Sequence, residues 1–491
     1  METSPFKAGK KVLFVSSEIA PFARSGGLGE VVGSLPPALK ELGLKPTLVM
    51  PLYGEVDRAA YDLTPLDLEL DLPLAGARHK ARVWTGQHRG CPLYLIGNDT
   101  FFDRPGLYGY SDSDYPDNHL RFIFFCRAVM ALAAALNLRM DVVHAHDWQA
   151  ALLPAYLKYR PDLAGPLAQA ASVLTIHNLA YQGLFGRALF ADTGLPMEMD
   201  NPRGMEYWGK ISFLKAGLVC AHALTAVSPT YAREIQTTEQ GMGLEGVLAE
   251  RAGDLYGILN GADYKIWSPE ADPFLPSVYS VQDLSGKKLC RGRLVEEFGL
   301  DPVPETGCVM GFVGRLTPQK GVDLILEALP LLLLDDVRLC LLGSGQPEME
   351  QALSDLAARY SGRVGVKLGF IDKLAHMIVA GSDLFLMPSL FEPCGLTQMY
   401  AMRYGTPPVV RATGGLKDTV EPFNPLRKEE GTGFVFEPAK AKALVSCVRE
   451  ALWTKARPLF WQQLIQNAMT QDFSWRKSAQ AYAELYDRLT A

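Results

Sequence analysis

The chain has 491 residues, of which 48% are hydrophobic and 21% are charged, and its formal net charge is −6 at pH 7. This length exceeds what one hydrophobic core usually serves, so we expect two domains of roughly 200–250 residues each. The composition is that of an ordinary globular protein. The negative net charge argues against nucleic acid or an anionic membrane surface as the main partner.

The eight cysteines, from Cys91 to Cys447, are widely spaced and form no pair typical of a metal or redox motif. This pattern is typical of reduced, buried thiols in a cytosolic protein. The apolar run Val12–Val15 is too short for the core of a signal peptide or for a membrane span. The longer apolar stretches Ala128–Leu136 and Ala328–Leu334 are predicted to be helix segments inside domains. We therefore expect a cytoplasmic protein.

In the first half of the chain, short apolar segments typical of buried strands alternate with segments of helical periodicity. This alternation predicts a parallel sheet covered by helices on both faces. A helix is predicted from Leu28 to Gly43 with a kink at Pro36-Pro37, and the segment Gly97–Asn118 is predicted to be a long mobile loop. The predicted strands are Lys11–Ser16, Thr47–Met50, Leu93–Ile96, Asp141–His144, Ser172–Thr175, Ala223–Val227 and Tyr256–Leu259.

The second half repeats this pattern, and a segment rich in Pro, Asp and Ser, Ser268–Gln282, is predicted to lie on the surface between the halves. The predicted domains are residues 1–258 and 259–473. A final helix, Ser474–Leu489, is predicted to be capped by Ser474 and to bury one apolar face. The predicted strands of this half are Val309–Val313, Arg338–Leu342, Val364–Leu368, Leu384–Met387, Pro408–Val410 and Gly433–Phe436.

Each half contains a short apolar strand that leads into a glycine-rich turn with a cation and then into a helix. The first turn is Arg24–Leu28, and the second is Gly314–Gly321, in which Arg315 and Lys320 are five residues apart. Glycines let a ligand approach the backbone, and the free N–H groups at a helix start attract anions. A diphosphate between the two cations would relieve their repulsion. The pattern favours two nucleotide-binding domains facing one phosphorylated ligand, with a solvated surface turn as the alternative.

Polar residues follow several predicted strands, which is where ligands bind in open parallel sheets. His144 and His146 could ligate a metal because residues two apart in a strand face the same side, but no third ligand is evident, so hydrogen-bonded histidines are the preferred interpretation. Asp147 and Trp148 suit a sugar, because a carboxylate binds hydroxyl groups and an indole ring covers the apolar sugar face. A purely structural Trp148 is the alternative.

Glu18, His177 and Asn260 also stand at predicted strand ends, and each could bind a ligand or serve a structural role alone. The segment Met387–Thr397 leads from a buried strand into a helix. Within it, Glu392 could contact a ligand or cap the helix that follows, and the free N–H groups at the helix start could face an anion.

Several short motifs together resemble the bacterial glycogen synthases and plant starch synthases. They are Glu18 with Arg24–Leu28, His177–Leu179, Gly314-Arg315 with Lys320-Gly321, Phe391–Gln398 and Asp472–Trp475. Any one of these motifs is weak evidence. Their order along nearly the whole chain makes the resemblance highly specific.

This resemblance implies an α/β protein of the GT-B fold, with two Rossmann-like, doubly wound parallel-sheet domains and an interdomain cleft. It implies that residues 1–258 bind the acceptor, that residues 259–473 bind a nucleotide sugar, and that the helix of residues 474–491 packs back on the first domain. The implied reaction is transfer of glucose from ADP-glucose to the non-reducing end of an α-1,4-glucan. The family retains the anomeric configuration and needs no metal or other cofactor.

The resemblance also implies roles for individual residues. Arg315 and Lys320 would hold the diphosphate. Glu392 would contact the transferred glucose, and His177 would stabilise the positive charge that develops on it. Asp147 and Trp148 would lie near the acceptor. The implied donor contacts are Glu18, Arg24, Gly26, Gly27, Glu30, Asn260, Phe370, Cys394, Gly395, Leu396 and Thr397.

The sequence departs from the family pattern in three places. Arg24-Ser25 stands where Lys-Thr or Lys-Val is usual, Glu30 replaces an Asp, and Phe370 replaces a Tyr that stacks on adenine. Arg keeps the charge in a larger, forked group, and Phe keeps the stacking without the hydroxyl. UDP-glucose therefore stays open as an alternative donor. Tyr400, eight residues beyond Glu392, replaces the second Glu of many GT-B enzymes, and this resembles the synthase branch itself.

Other functions remain as alternatives. A glycan phosphorylase shares the broad architecture but needs pyridoxal phosphate on a Lys, for which no motif is evident. A non-catalytic glucan-binding regulator is disfavoured because the motif residues are intact, and a dehydrogenase because Arg24–Gly29 lacks the dinucleotide glycine spacing. The triplet Asp112–Asp114 could suggest a metal-dependent glycosyltransferase of another architecture, but a solvated turn is the preferred interpretation.

Overall fold

The computed structural model describes residues 6, 7, 9–110 and 113–491, so Asp112 of the acidic triplet lies outside the described residues. The chain forms two compact units. The first unit is Met1–Gly261 together with Trp475–Ala491, and the second is Ala262–Ser474.

A sheet of nine strands forms the centre of the first unit. The strands of this unit are β1 Lys11–Val15, β2 Lys45–Pro51, β3 Thr64–Leu74, β4 Ala77–His88, β5 Cys91–Gly97, β6 Gly109–Tyr110, β7 Ser113–Asp114, β8 Val142–His146, β9 Ala171–Ile176, β10 Leu184–Gly186, β11 Glu206–Tyr207, β12 Lys210–Ser212, β13 Ala223–Ala226 and β14 Leu255–Gly257. The order in the large sheet is β14-β13-β9-β8-β1-β2-β5-β4-β3, and the first seven of these strands are parallel. Each predicted strand of this half is present, with its ends shifted by a few residues.

The last two strands of this sheet, β3 and β4, form an antiparallel hairpin that the sequence analysis missed. In β3 the leucines from Leu66 to Leu74 alternate with polar residues or Pro, and Ala75 and Gly76 have φ angles of 49° and 76° in the turn that follows. Strict alternation and a turn of two positive φ angles are the pattern of a hairpin. The expectation of parallel pairing throughout is therefore wrong at this edge.

The first unit also contains helices, some of which pack on the large sheet. They are Gly27–Glu41, Asp99–Phe102, Asn118–Ala135, Asp147–Ala150, Leu152–Tyr159, Pro161–Ala164, Phe190–Thr193, Phe213–Cys220, Pro229–Glu234, Glu245–Glu250 and Trp475–Leu489. Gly27–Glu41 continues through Pro36 and Pro37. The predicted loop Gly97–Asn118 contains a short helix and the paired strands β6 and β7.

The final helix, Trp475–Leu489, belongs to the first unit and packs against Gly27–Glu41. On its apolar face Trp475, Ala479, Tyr482 and Tyr486 are buried, as the helical spacing predicts. The hydroxyl of Tyr486 lies 2.7 Å from Nδ1 of His144. This contact joins the end of the chain to the centre of the large sheet.

The second unit is built on a six-stranded parallel sheet. Its strands are β15 Cys308–Val313, β16 Val337–Gly343, β17 Val364–Leu368, β18 Leu384–Met387, β19 Pro408–Arg411 and β20 Phe434–Phe436. Their order is β17-β16-β15-β18-β19-β20. The helices of this unit are Ser285–Glu297, Val322–Leu332, Pro347–Arg359, Asp372–Gly381, Thr397–Arg403, Gly414–Thr419, Ala441–Lys455 and Pro458–Met469. Each strand predicted for this half is present.

The segment Ser268–Gln282, which was predicted to lie on the surface, is anchored in the second unit. The Asp272 carboxylate accepts hydrogen bonds from Nδ1 of His376 at 2.7 Å and from the hydroxyl of Tyr404 at 2.6 Å. The indole ring of Trp267 stacks on His376 and on Tyr400, with centroid distances of 3.7 and 4.2 Å. These hydrogen bonds offset the cost of burying the Asp272 carboxylate. The polar composition of the segment predicts exposure and does not indicate that Asp272 is buried.

Within the part of the chain that the structure describes, one helix, Asn118–Ala135, has the length and apolar character needed to cross a bilayer. Most of its residues are buried inside the first unit. Core helices of water-soluble proteins share these features.

Candidate active site

The candidate donor residues of the second unit lie at one edge of its sheet. Parallel strands place all their carboxyl ends at the same edge, where ligands bind in such sheets. Arg315 follows β15, Gly343 ends β16, Phe370 follows β17 and Glu392 follows β18. The turn after β16 pairs with Leu316 through a bridge to Gly345.

Lys320 and Glu392 form an ion pair at this edge. The Nζ atom of Lys320 lies 2.6 Å from Oε2 of Glu392, and the Ser389 hydroxyl donates a hydrogen bond of 2.9 Å to the same oxygen. The Glu392 side chain is buried, whereas that of Lys320 is 20% exposed. A buried carboxylate held by a cation and a hydroxyl has a fixed position, so the Lys320 ammonium is also fixed at the strand ends.

Close backbone contacts hold the two motif segments of this unit together. Gly321 has a φ of 70°, and a Cβ atom there would lie 2.1 Å from the carbonyl oxygen of Pro388. The N–H of Leu390 donates to the Gln319 carbonyl at 2.8 Å. A glycine at position 321 is required both by the left-handed conformation and by this approach. The cationic turn therefore sits directly against the segment that carries Glu392.

The segment after Glu392 packs on a second glycine pair. Cβ atoms at Gly414 and Gly415 would lie 2.0 and 2.1 Å from the carbonyl oxygens of Glu392 and Cys394. The N–H of Gly415 donates to the Glu392 carbonyl at 3.1 Å. These contacts fix the path of the chain from Glu392 through Cys394, Gly395 and Leu396 into the helix that begins at Thr397.

Phe370 is 68% exposed at the end of β17. An exposed aromatic ring at the carboxyl edge of a parallel sheet is available to stack on a planar base. This position agrees with the nucleotide contact predicted for Phe370, which stays a prediction.

In the first unit, Glu18 is bound by the glycine-rich turn itself. The Ser25 N–H and hydroxyl donate to the two carboxylate oxygens of Glu18 at 2.6 and 2.7 Å, and the Tyr108 hydroxyl donates at 2.6 Å. The Nη1 atom of Arg24 lies 3.6 Å from Oε1 of Glu30. Ser25 is one of the departures from the family pattern, and its two hydrogen bonds connect the turn to Glu18.

The backbone of this turn is accessible. Among the described residues, apart from the adjoining residues and the backbone of the helix itself, no heavy atom lies within 4 Å of a Cβ atom built at Gly26 or Gly27. The helix that begins at Gly27 buries Leu28 and continues into the core. A ligand could therefore reach the peptide groups of Gly26 and Gly27 without moving a side chain.

His177 is held at its backbone by Asp147 and at its ring by His146. The His177 N–H donates to Oδ1 of Asp147 at 2.8 Å, and Nε2 of His177 lies 3.0 Å from Nδ1 of His146. Asp147 has a φ of 54°, a strained conformation for a residue other than glycine. Strain of this kind persists where the surrounding contacts impose it, and it often marks functional sites.

Burial shifts the pKa values of Asp147, His146 and His177. Burial raises the pKa of Asp147 to about 7, although N–H groups of His177 and Asn178 act in the opposite direction. Burial lowers the pKa of His177 to about 3 and holds the pKa of His146 well below its ordinary value. Both imidazoles are therefore neutral at pH 7. One ring nitrogen in the pair must donate and the other accept, so the tautomers of His146 and His177 are coupled.

The structure explains the histidine pair that could have suggested a metal. His144 bonds Tyr486 through Nδ1 and the Thr175 hydroxyl through Nε2, at 2.7 and 2.6 Å. Over the described ranges, no group of three or more His, Cys, Asp or Glu side chains is placed to hold a metal ion. His144 has a structural role, and His146 serves His177.

Trp148 and Asn260 are more buried than expected for ligand contacts. The Trp148 ring is 8% exposed and packs on Phe122, Phe185 and Phe213, with centroid distances of 4.9, 5.8 and 6.5 Å. Asn260 is 5% exposed, and its Oδ1 has no hydrogen-bond partner among the described residues. This packing favours a structural part for the indole, and the predicted ligand roles of both residues stay predictions.

Sequence reasoning did not single out Ser389 or Tyr108, and it considered His146 only as a possible metal ligand or a hydrogen-bonded histidine, without a link to His177. Ser389 stands three residues before Glu392, a spacing that could have drawn attention to it. Tyr108 lies in the predicted loop, 90 residues from its partner Glu18. No local sequence pattern predicts a contact between residues so far apart in the chain.

Comparison with known proteins identifies the family of this chain. The family model described as starch synthase catalytic domain matches residues 11–250, and the model described as glycosyl transferases group 1 matches residues 299–468. The glycogen synthase of Anaeromyxobacter sp. strain Fw109-5 is 46% identical over 482 residues, with 98% of this chain and all of the relative covered. The glycogen synthase of Myxococcus xanthus strain DK1622 is 47% identical over 488 residues, covering 98% and 99%.

Solved structures agree with this assignment. The catalytic domain of starch synthase IV from Arabidopsis thaliana, bound to ADP and acarbose, superposes with a TM-score of 0.92 at 33% identity over 98% of this chain and all of that one. Sucrose-phosphate synthase from Thermosynechococcus elongatus superposes with a TM-score of 0.61 at 17% identity, covering 98% of this chain and 99% of that one, a likeness of fold alone. The resemblance and the fold predicted from the motifs are confirmed. The chain belongs to the glycogen synthase and starch synthase family of GT-B glycosyltransferases.

Proposed function

We propose that this protein elongates an α-1,4-glucan by transferring glucose from ADP-glucose to the non-reducing end, with retention of the anomeric configuration. The observation that carries the proposal is the fixed Lys320–Glu392 pair at the strand ends of the second unit. It lies in a chain whose relatives are glycogen synthases. The nucleotide and oligosaccharide bound by the Arabidopsis starch synthase support a nucleotide-sugar donor and a glucan acceptor.

In this proposal Arg315 and Lys320 bind the diphosphate of the donor. Breaking the bond between sugar and phosphate leaves negative charge on the diphosphate, and preorganised cations stabilise such charge at little reorganisation cost. Backbone N–H groups of Gly27, Leu396 and Thr397 add hydrogen bonds. The remaining donor contacts in the proposal are Glu18, Arg24, Gly26, Glu30, Asn260, Phe370, Cys394 and Gly395.

Glu392 and His177 act on the transferred glucose in this mechanism. Glu392 holds the sugar while its Oε2 keeps Lys320 in place. His177, neutral because it is buried, stabilises the oxocarbenium character through its backbone or its ring. We propose that the acceptor hydroxyl attacks on the face from which the diphosphate leaves, because the resemblance offers no carboxylate nucleophile for a double displacement.

Asp147 and Trp148 are proposed to lie near the acceptor. Asp147 would act chiefly by holding the His177 backbone, a contact present at 2.8 Å. We further propose a cytoplasmic location, where ADP-glucose and glycogen would be available. The proposal requires no metal, because Arg315 and Lys320 supply the positive charge.

A donor competition tests this function. The purified protein is given glycogen with ADP-glucose and UDP-glucose together, and release of each nucleotide is measured with and without EDTA. We expect preferential ADP release that EDTA does not reduce. Preferential UDP release would show that UDP-glucose is the preferred donor. A requirement for a divalent ion would overturn the metal-free mechanism. Release of neither nucleotide would favour a non-catalytic glucan-binding protein.

A further inference from the structure

The hairpin between β11 and β12 presents a tryptophan to solvent. Trp208 follows Tyr207 at the tip of this hairpin, and it is 83% exposed, more than Tyr110, Tyr181 or Phe370. A large aromatic ring exposed to this degree loses the free energy that burial would supply. Single exposed apolar residues are common, so exposure alone does not indicate a site.

Trp208 occupies the first, left-handed position of its hairpin turn, as Ala75 and Arg89 do in two other hairpins of this unit. Trp208 has a φ of 49° and Gly209 a φ of 80°, so both central residues of the turn are left-handed. Asn-Gly and Asp-Gly are the residues that such a turn favours, and a bulky residue at the first position is an outlier. A strained backbone that displays an exposed indole points to a function for the ring.

The hairpin is braced so that Trp208 has a fixed position. The Gly209 N–H donates to the Glu206 carboxylate at 2.7 Å, and the Tyr207 hydroxyl donates to the Met242 carbonyl at 2.6 Å. The Lys215 ammonium donates to the Glu206 carbonyl at 2.6 Å. Held on both flanks, the backbone of the turn cannot change its conformation without breaking these bonds.

The same small sheet carries the packing partner of Trp148. The strand order is β10-β12-β11, and Phe185 of β10 pairs with Ile211 of β12. The Phe185 ring packs on Trp148 at 5.8 Å, and Trp148 directly follows Asp147. The small sheet therefore connects the hairpin tip, through β12 and β10, to Asp147 and Trp148, the residues proposed to lie near the acceptor.

We propose that Trp208 is a docking platform for an α-glucan chain, on which the apolar face of a glucose unit stacks. This inference rests on the proposed function, because it takes the acceptor to be a glucan. Sugars present C–H groups on one face, and an exposed indole covers such a face while leaving the hydroxyl groups in water. A glycogen particle carries many outer chains, so a chain held at Trp208 raises the local concentration of acceptor ends.

The Trp208→Asn variant tests the proposal and separates binding from folding. Asn suits the left-handed turn, so the variant should have a melting temperature at or above that of the wild type. We expect a KM for glycogen about two- to tenfold higher, the range of one lost aromatic stacking contact, and less retardation in native gels that contain glycogen. The KM for ADP-glucose should be unchanged. Trp208→Tyr, which keeps a ring, should retain most of the retardation.

Met197→Asn is the matched control, because Met197 is 72% exposed in the same unit. It should leave gel retardation and the KM for glycogen at wild-type values. If the wild type is retarded and Trp208→Asn is retarded equally, with an equal KM, the docking platform is refuted and the proposed function stands. If the wild type binds glycogen but releases no ADP from ADP-glucose, the proposed activity fails, while lost retardation in Trp208→Asn still supports the docking site.

Discussion

Nδ1 of His146 lies 3.0 Å from Nε2 of His177, and both imidazole rings are buried. A neutral imidazole has one donor and one acceptor nitrogen, so this bond couples the tautomer of His177 to that of His146 and orients the His177 ring. The Asp147 carboxylate accepts a hydrogen bond from the backbone N–H of His177 and so holds the main chain at this residue. His146 is therefore a positioning residue for the ring that we assign to transition-state stabilisation.

We predict that His146→Phe lowers kcat by about 10²-fold, the order of loss that follows when a catalytic group is displaced. The KM for ADP-glucose should change little, because His177, the residue that His146 orients, is proposed to act on charge that develops only in the transition state. His144→Gln is the control, since His144 lies two residues earlier and bonds Tyr486 and Thr175 instead. It should lose thermal stability with little change in kcat. Equal losses of kcat in the two variants would mean that His146 contributes by packing alone and does not position His177.

Lys320→Ala should lower kcat by about 10²–10³-fold, by analogy with the loss of one preorganised donor to developing negative charge. The loss follows because the variant removes a cation from the diphosphate and leaves the buried Glu392 without its cationic partner. Steady-state kinetics with glycogen as acceptor provide the measurement. Lys288→Ala, at an exposed lysine of the same unit, should behave as wild type. A kcat for Lys320→Ala close to the wild-type value would remove Lys320 from the mechanism.

Gly321→Ala should destabilise the second unit and reduce donor binding. A Cβ atom at Gly321 would lie 2.1 Å from the Pro388 carbonyl oxygen, so the segment that leads to Glu392 must move. Gly299→Ala is the matched control, because Gly299 also has a positive φ, 61°, but has open space around its Cβ position. The control bears only the conformational cost of roughly 1–2 kcal/mol. Equal melting temperatures and equal KM values for ADP-glucose in the two variants would contradict the proposed contact.

The buried groups around His177 predict how stability depends on pH. Burial lowers the pKa values of His144 and His177 to about 3, so the unfolded chain binds more protons than the folded one between pH 6.5 and 3. Stability contributed by these groups is lost as the pH falls through this window. Burial raises the pKa of Asp147 to about 7, so between about pH 7 and 4 the folded state binds more protons at this group. Asp147 thus opposes the loss.

Asp147→Asn removes the opposing group and should steepen the loss of stability on acidification. Its Oδ1 can still accept the His177 N–H, so the main contact is kept. The measurement is the melting temperature of both proteins at pH 7.5 and pH 4.5. We expect a larger fall in the variant. A fall equal to or smaller than that of the wild type would mean that Asp147 is already ionised well below pH 7 in the folded protein.

The parallel cores of both units could be predicted from the sequence, because fully buried strands are continuous apolar runs and the helices between them are periodic. The hairpin β3–β4 was missed even though its leucines alternate with polar residues. Strict alternation of apolar and polar residues is itself a strand signal, whereas the parallel strands of the rest of the sheet are continuous apolar runs.

The contacts that complete the candidate site could not be predicted in the same way. The bond from Tyr108 to Glu18 and the stack of Trp267 on His376 join residues that are far apart in sequence. They depend on how each sheet brings its loops together, which composition and periodicity do not determine. The segment Ser268–Gln282 is the clearest case, because its polar residues suggest a surface while Asp272 is buried and hydrogen-bonded.

The most direct test of the central claim is the fate of labelled glucose from ADP-glucose. The purified protein is incubated with labelled ADP-glucose and glycogen in the presence of EDTA, and the labelled glycogen is digested with β-amylase, which cleaves α-1,4 bonds from the non-reducing ends. Glycosyl transfer as proposed predicts that nearly all the label is released as maltose. Absence of incorporation, or label that resists β-amylase, would contradict the proposed reaction.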